Sequence, residues 1–327
     1  MRKNGLRKMA ATAAAAALSI ALLGGCSALG SAPTIASSEK AAESTGDTAA
    51  ESSSEASSAA ETEEESSSQA EGDGGSRLDD ILARGYIEVA TEPYFAPYEF
   101  IDPSKQGDEK YVGADIEMAR FIADQLGVEC RIVPLEFEAV LTGITEGRYD
   151  IALSALAYTP SRAEAMELSN GYFFEDEAVS YGLMVRDENL ESIKSADDLA
   201  DKTVVVQSGS LQEMFANEQI PAMKELKRVS ATTDGFLMVQ EGKADAVVTE
   251  KTTAQLYIDA NDGCGMTIVP DFSFTVDETV QGTRAGMPKG ETKLCDRINE
   301  IIDQVVEDGT FAKWHEEYSD YARSLGL

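Results

Sequence analysis

The sequence predicts an α/β protein whose parallel-type sheets are divided between two lobes. From Leu78 onward, short runs rich in β-branched residues alternate with amphipathic stretches of helical period. This alternation begins afresh near Ser192, and 327 residues with 43% hydrophobic content suffice for roughly two domains of about 150 residues.

Taken in order, residues 87–91 read as a strand. Residues 116–126 read as a helix with Ile116, Ala119, Ile122, Ala123 and Leu126 on one face, and residues 130–135 as the next strand. A helix over 139–146 and a strand over 150–156 follow. Thr159-Pro160 then marks a helix start, because a hydroxyl can cap the first turn and proline at the first helical position loses no needed N–H. The second set opens with a capped short helix over 195–200 and a strand over 203–207. A Ser208-Gly209-Ser210 turn leads into a helix from Leu211. Residues 234–241 read as helix, 244–249 as a buried strand and 252–260 as helix. The C-terminal part adds a strand over 283–287 and a long helix over 293–307 that Gly309 can close in a left-handed cap. Strand–helix alternation of this kind calls for parallel pairing. Open α/β sheets bind ligands beyond the carboxyl ends of their strands, which directs attention to Phe95, residues 155–162, residues 208–211 and Glu250.

The N-terminus is built differently. Arg2, Lys3, Arg7 and Lys8 precede an apolar run over 9–23 that is short for a membrane span and ends in Leu23-Gly24-Gly25-Cys26, a sequence similar to the lipobox of bacterial lipoproteins. That resemblance implies a signal peptide over 1–25, a diacylglycerol and palmitate anchor on Cys26, and a folded part outside the cell membrane. The competing reading is an uncleaved anchor helix with an incidental cysteine, and it also places the fold outside. Residues 26–77 are mostly Ser, Ala, Glu, Thr and Gly, too poor in apolar surface to offset the entropy of ordering, and are expected to be a disordered tether. Repulsion among Glu51, Glu55, Glu61, Glu63, Glu64 and Glu65 would extend it.

A formal charge of −32 disfavours nucleic acid and anionic headgroups as partners, although most of it is a solvated, solubilising face. Cys130, Cys264 and Cys295 form no C-x-x-C pair and have no histidine nearby in sequence, so no metal site or disulfide scaffold is expected. No P-loop motif occurs, and no cofactor is expected. The sole histidine, His315, lies in a C-terminal helical stretch beside Trp314 and is read as structural.

Six segments in a fixed order then carry a specific resemblance: ATEPYFAPYEF from Ala90, YVGADIEMARFIADQLG from Tyr111, EGRYDIALSALAYTPSRAEAMELSNGYF from Glu146, VVVQSGSLQE from Val204, GKADAVVTE from Gly242 and DGTFAKWHEEY from Asp308. Together they resemble the family 3 extracellular solute-binding proteins, the polar amino-acid receptors of ABC importers. The resemblance implies a type II periplasmic-binding-protein fold, with mixed sheets of parallel type flanked by helices and a two-strand hinge. Lobe 1 is expected over 78–178 and 280–327, lobe 2 over 184–274, and the crossings near 179–183 and 275–279. It further implies a monomer that holds an L-amino acid between its lobes and docks on permease and ATPase subunits.

The ligand-binding residues the resemblance implies are Glu92, Phe95, Phe137, Ser154, Ala155, Ala157, Arg162, Ser210, Leu211 and Glu250. Arg162 lies in the first turn after a strand-to-helix loop, where a planar guanidinium can take a carboxylate bidentately, although a surface arginine is the plainer reading. Glu250 matches the acidic partner of an α-ammonium, or else is a helix cap before Thr252. Phe95 and Phe137 match aromatics that sandwich the ligand stem, against the ordinary alternative of core packing. Ser154, Ala155 and Ala157 are expected in a loop offering backbone groups, and Ser210 and Leu211 at a helix N-terminus. Ala157 departs from relatives that carry a hydroxyl there, leaving one donor missing or supplied by Ser154. Glu92 matches an acidic position in relatives that bind cationic or amide side chains, leaving glutamine, arginine, lysine and histidine open.

Two other functions compete. A few relatives are cyclohexadienyl dehydratase-like enzymes, but no histidine or paired carboxylate with a clear role is legible at the cleft beyond Glu92 and Glu250, so no catalytic residue is assigned. A receptor serving a signalling partner would need a separate output protein.

Overall fold

The computed structural model describes residues 75–174, 180–277, 280 and 282–327. The signal segment, Cys26 and nearly all of the tether lie outside the described residues, as do Val179 and residues 278–279 of the expected crossings.

The described chain opens on α1 (Arg77–Arg84), where Ser76 and Asp79 form a capping box that satisfies two backbone N–H groups of the first turn. Next comes β1 (Tyr86–Thr91), then a small antiparallel sheet of β2 (Tyr94–Phe95), β3 (Glu99–Ile101) and β4 (Tyr111–Val112). α2 (Ala114–Leu126) starts on Gly113 at φ +130°, where any Cβ would collide with the Tyr98 carbonyl, so only glycine fits. Its face of Ile116, Ala119, Ile122 and Ala123 is buried, and Leu126 packs partly buried against the same core. β5 (Glu129–Pro134), α3 (Phe137–Thr145), β6 (Ile151–Ala157), α4 (Pro160–Ala165) and β7 (Met166–Leu168) complete this stretch.

β8 (Tyr181–Arg186) begins inside the stretch expected to be the first crossing. β9 (Thr203–Gln207), α5 (Leu211–Gln219), β10 (Glu225–Val229), α6 (Thr232–Gln240), β11 (Ala246–Glu250), α7 (Lys251–Ala260) and β12 (Met266–Ile268) follow. The chain then adds β13 (Thr283–Pro288), α8 (Thr292–Glu307) and α9 (Thr310–Leu325). Gly309, at φ +63°, separates the last two helices. The short helix expected over 195–200 is a 3-10 turn, Ala196–Leu199. The Ser195 hydroxyl donates to the Asp198 carboxylate instead of capping the backbone.

Two five-stranded sheets result, ordered β5-β1-β6-β13-β7 and β10-β9-β11-β8-β12. In each, a parallel trio is extended by antiparallel strands: β1 runs parallel to β5 and β6, while β13 runs antiparallel to β6 and β7. Likewise β9 runs parallel to β10 and β11, while β8 runs antiparallel to β11 and β12. Parallel pairing is therefore confined to three strands of each sheet, because β8 and β13 enter from distant sequence without a crossover helix beside their neighbours.

Helices cover both faces of each sheet. α2, α8 and α9 bury Ile122, Ile298, Ile302 and Phe311 against one face of the first sheet, and α3 buries Val140 and Ile144 against the other. On the second sheet Phe215 of α5 and Phe236 of α6 lie in separate clusters. Fully burying each such side chain contributes about 1.5–3 kcal/mol. Ile122→Ala is expected to lower the unfolding free energy by about 2–5 kcal/mol in urea titrations, whereas Leu82→Ala, at an exposed position, should shift it by under about 0.5 kcal/mol.

Candidate functional site

The parallel strands of both sheets end toward one cleft, which encloses ≈ 700 Å³ counting its open mouth. Glu92, Phe95, Phe137, Ser154, Ala155, Ala157, Arg162, Ser210, Leu211 and Glu250 all line it. The walls touch. Ser208 Oγ donates to Glu138 at 2.8 Å, and Thr253 Oγ1 donates to the Ala96 carbonyl at 3.0 Å, each linking a loop or helix of one sheet to the other.

Arg162 owes its position to local sequence. Thr159 caps α4 by accepting from the Arg162 N–H at 3.1 Å, with Pro160 in the first turn, so the guanidinium projects at the end of β6. Nη1 donates to the Ala157 carbonyl at 2.8 Å and Nη2 crosses the cleft to the Gly209 carbonyl at 3.1 Å. Its carbon lies 5.5 Å from the Phe137 ring centroid. The side chain is 8% exposed, which rules out a surface arginine. Burial draws its pKa down to about 10, and among the described residues no carboxylate acts to restore it. A guanidinium has five N–H donors, and two carbonyls do not neutralise it. An anion entering the cleft would.

Glu250 ends β11 and is at the same time the N-cap of α7. Oε1 accepts from the Thr252 N–H at 2.7 Å and Oε2 from the Thr253 N–H at 2.8 Å. The side chain is thus the cap of α7 and also lines the cleft. Burial raises its pKa, and the backbone N–H groups of α7 oppose the rise.

The strand end at 154–157 corrects an expectation: Ser154, Ala155 and Ala157 belong to β6 instead of a loop, because β13 pairs with β6 as far as Ala157. Their polar groups are already engaged. The Ser154 hydroxyl donates to Glu99 Oε1 at 2.9 Å and accepts from the Glu92 N–H at 3.0 Å, so it does not stand in for the hydroxyl absent at Ala157. Ala155, at φ +47°, directs its N–H onto Asp115 Oδ2 at 2.7 Å. Ser210 caps α5 by accepting from the Glu213 N–H, donates to the Gln207 carbonyl, and is followed by the buried Leu211.

Glu92 is 1% exposed, and its Oε1 has no hydrogen-bond partner. Burial raises its pKa to about 8, partly offset by a hydrogen bond with Gln207 across the cleft. Phe95 stacks on Tyr98 with centroids 5.8 Å apart, and Phe137 forms the first residue of α3. The sequence reading misses Tyr98, Glu99, Phe173, Gln207 and Gln212, which also line the cleft. Gln207 was within reach of it, since it is the last residue of a parallel strand. Tyr98 and Phe173 pack against His315 of α9 at 4.9 and 4.5 Å, a contact between distant segments that no local pattern reveals. Among the described residues no group of His, Cys, Asp or Glu side chains has metal-ligating geometry, and Cys130, Cys264 and Cys295 are free thiols.

A family model of bacterial extracellular solute-binding proteins, family 3, matches residues 87–321. The arginine-binding extracellular protein ArtP of Bacillus subtilis (strain 168) is 26% identical over 244 residues, covering 73% of this chain and 88% of the relative. Among solved structures, the ABC transporter substrate-binding protein AbpA of Streptococcus pneumoniae Canada MDR_19A, bound to L-arginine, is 26% identical with a TM-score of 0.66, covering 74% of this chain and 98% of that one. The ancestral amino-acid-binding protein AncCDT-1, a precursor of cyclohexadienyl dehydratase, is 29% identical with a TM-score of 0.63, covering 75% and 99%.

Burial also lowers the His315 pKa to about 4 from an ordinary 6.5. The unfolded chain then binds the proton more readily, so the stability this group contributes is complete above pH about 6.5 and is lost as pH falls toward 4. His315→Phe should remove that slope from the urea stability profile over this window relative to the unaltered protein, while keeping the aromatic packing.

Proposed function

From the premise that the chain belongs to the bacterial extracellular solute-binding proteins of family 3, we propose that it is a lipid-anchored receptor that captures a polar L-amino acid between two lobes and delivers it to an ABC importer. The observation that carries the reading is the buried Arg162, which has carbonyl partners on both walls and no carboxylate partner among the described residues. A ligand α-carboxylate supplies the missing counter-charge in bidentate geometry. Glu250 takes the α-ammonium, chiefly at Oε1: Oε1 accepts from the Thr252 N–H, whereas Oε2 accepts from the Thr253 N–H and lies 3.0 Å from the Thr253 hydroxyl. Phe95 and Phe137 enclose the carbon stem, and the partnerless Glu92 Oε1 receives a donor at the side-chain end.

Lobe 1 is assigned to 78–178 and 280–327 and lobe 2 to 184–274, with the crossings between them as hinges. A ligand that touches both walls favours the closed form through that difference in contacts. Delivery to permease and ATPase subunits, a monomeric state and an outer-face anchor on Cys26 belong to the same reading. The dehydratase reading would need a positioned general acid or base acting on a substrate, and the relatives described above are binding proteins.

Isothermal titration against glutamine, arginine, lysine and histidine tests the ligand class. One or a few should bind near micromolar Kd, about −8 kcal/mol. Arg162→Ala should weaken binding at least about 30-fold, the cost of leaving one member of a buried charge pair unpartnered. Glu92→Ala should change the ranking among those amino acids, and an unchanged ranking would remove Glu92 from the specificity role. For the anchor, Cys26→Ser should move the protein from the membrane to the soluble fraction of expressing cells.

A further inference from the structure

In the cleft wall and behind it lies a cluster of acids, two of which, Glu99 and Asp115, have no part in ligand capture as described above. Glu99 of β3 and Asp115 of α2 are 1% and 0% exposed, and Glu92 at the end of β1 is close enough for its charge to act on Glu99. Asp115 is well supplied with donors: the Tyr172 hydroxyl at 2.8 Å and the Ala155 N–H at 2.7 Å. Glu99 has one, the Ser154 hydroxyl, and its Oε2 is buried without a partner. An ionised carboxylate in that position would be a buried negative charge beside Asp115 with a single donor, and such groups take up a proton instead. The other ionisable side chains lining the cavity are Tyr98, Arg162, Tyr181 and Glu250, and His315 packs on Tyr98.

We propose that Glu99 is a positioning residue of the cleft that acts as an uncharged carboxyl, holding Ser154 and Asp115 and through them the cleft-lining backbone at Ala155. A proton on the otherwise partnerless Oε2 of Glu99 supplies Asp115 with a further donor, which favours the ionised form of Asp115 and its grip on the Ala155 N–H. That grip matters because Ala155 adopts φ +47°, a left-handed conformation that is strained for a non-glycine residue and persists where its surroundings enforce it. The Ser154 hydroxyl, fixed by Glu99, in turn accepts from the N–H of Glu92. One neutral acid thereby fixes three cleft positions: Glu92 after β1, and Ser154 and Ala155 in β6. The titration tendencies agree. Burial, then the charge of Asp115, drives Glu99 well above the ordinary carboxylate range, while Asp115 rises to about 6 through burial and is held down by Ala155, Tyr172 and its hydrogen bond with Glu99.

This inference rests on the amino-acid receptor reading for its consequence on affinity, and its test separates the two. The full chain, Glu99→Gln and Glu99→Ala are compared by titration with L-arginine and L-glutamine between pH 5 and 8, by hydrogen exchange at the Ala155 amide, and by carboxyl-carbon NMR of labelled Glu99. The unaltered protein should show a Glu99 carboxyl carbon that does not ionise below pH 7. Glu99→Gln, neutral and of the same shape, should keep Ala155 protection and affinity within about threefold, whereas Glu99→Ala should lose about tenfold in both. Ionisation of Glu99 near pH 4–5, or a Glu99→Gln variant as impaired as Glu99→Ala, overturns the proposal. If Glu99→Ala does not fold, the carbon titration and Glu99→Gln still decide it. If neither amino acid binds the unaltered protein, the receptor reading loses support for those ligands, while amide exchange and the carbon signal judge Glu99 independently.

Discussion

Burying the Arg162 guanidinium at the junction of the two sheets is the constraint around which the site is organised. A cation 8% exposed and drawn down to about 10 must be compensated by dipoles or by an anion. The fold provides a carbonyl from each wall, Ala157 and Gly209, and leaves the remaining neutralisation to whatever occupies the cleft. The cap from Thr159, the proline in the first turn of α4 and the Phe137 ring 5.5 Å away all hold the guanidinium in place. Because one of its hydrogen bonds spans the cleft, the same side chain links occupancy to the relation between the walls.

The acids obey the complementary rule. Glu250 remains compatible with burial because α7 offers it two backbone donors, whereas Glu92 and Glu99 each keep an oxygen without a partner. Carboxyls so placed are driven toward the neutral form, and their directions agree: Glu92 up to about 8 and Glu99 well above the ordinary range, each with burial as the leading cause. The cleft therefore combines a permanent cation with acids of adjustable charge. That combination suits recognition of a zwitterion carrying a further donor.

Much of the framework was legible because local rules sufficed. The strand over 203–207 and the buried face of α2 follow from periodicity, and the starts of α4 and α5 follow from Thr159-Pro160 and Ser210. The short strands β7 and β12, the charged edge strand β10 and the β2-β3-β4 sheet were not. Their pairing depends on partners distant in sequence, and β10, ELKRV, buries too little to show a pattern. The strand β8 lies where the sequence suggests a connection, because nothing local shows that residues 181–185 pair with 246–250.

The sequence alone determined the α/β class, the order of the principal strands and helices, and a set of cleft-lining residues, since these rest on period, capping and motif order along the chain. Only tertiary structure decided which polar groups remain available. The Ser154 hydroxyl is committed to Glu99, the Ala155 N–H to Asp115 and the Glu250 oxygens to α7. His315 became part of the wall behind Tyr98 and Phe173 by packing from the far end of the chain. Hydrogen-bond commitment and burial depend on what approaches from other segments, and a linear pattern does not encode that approach.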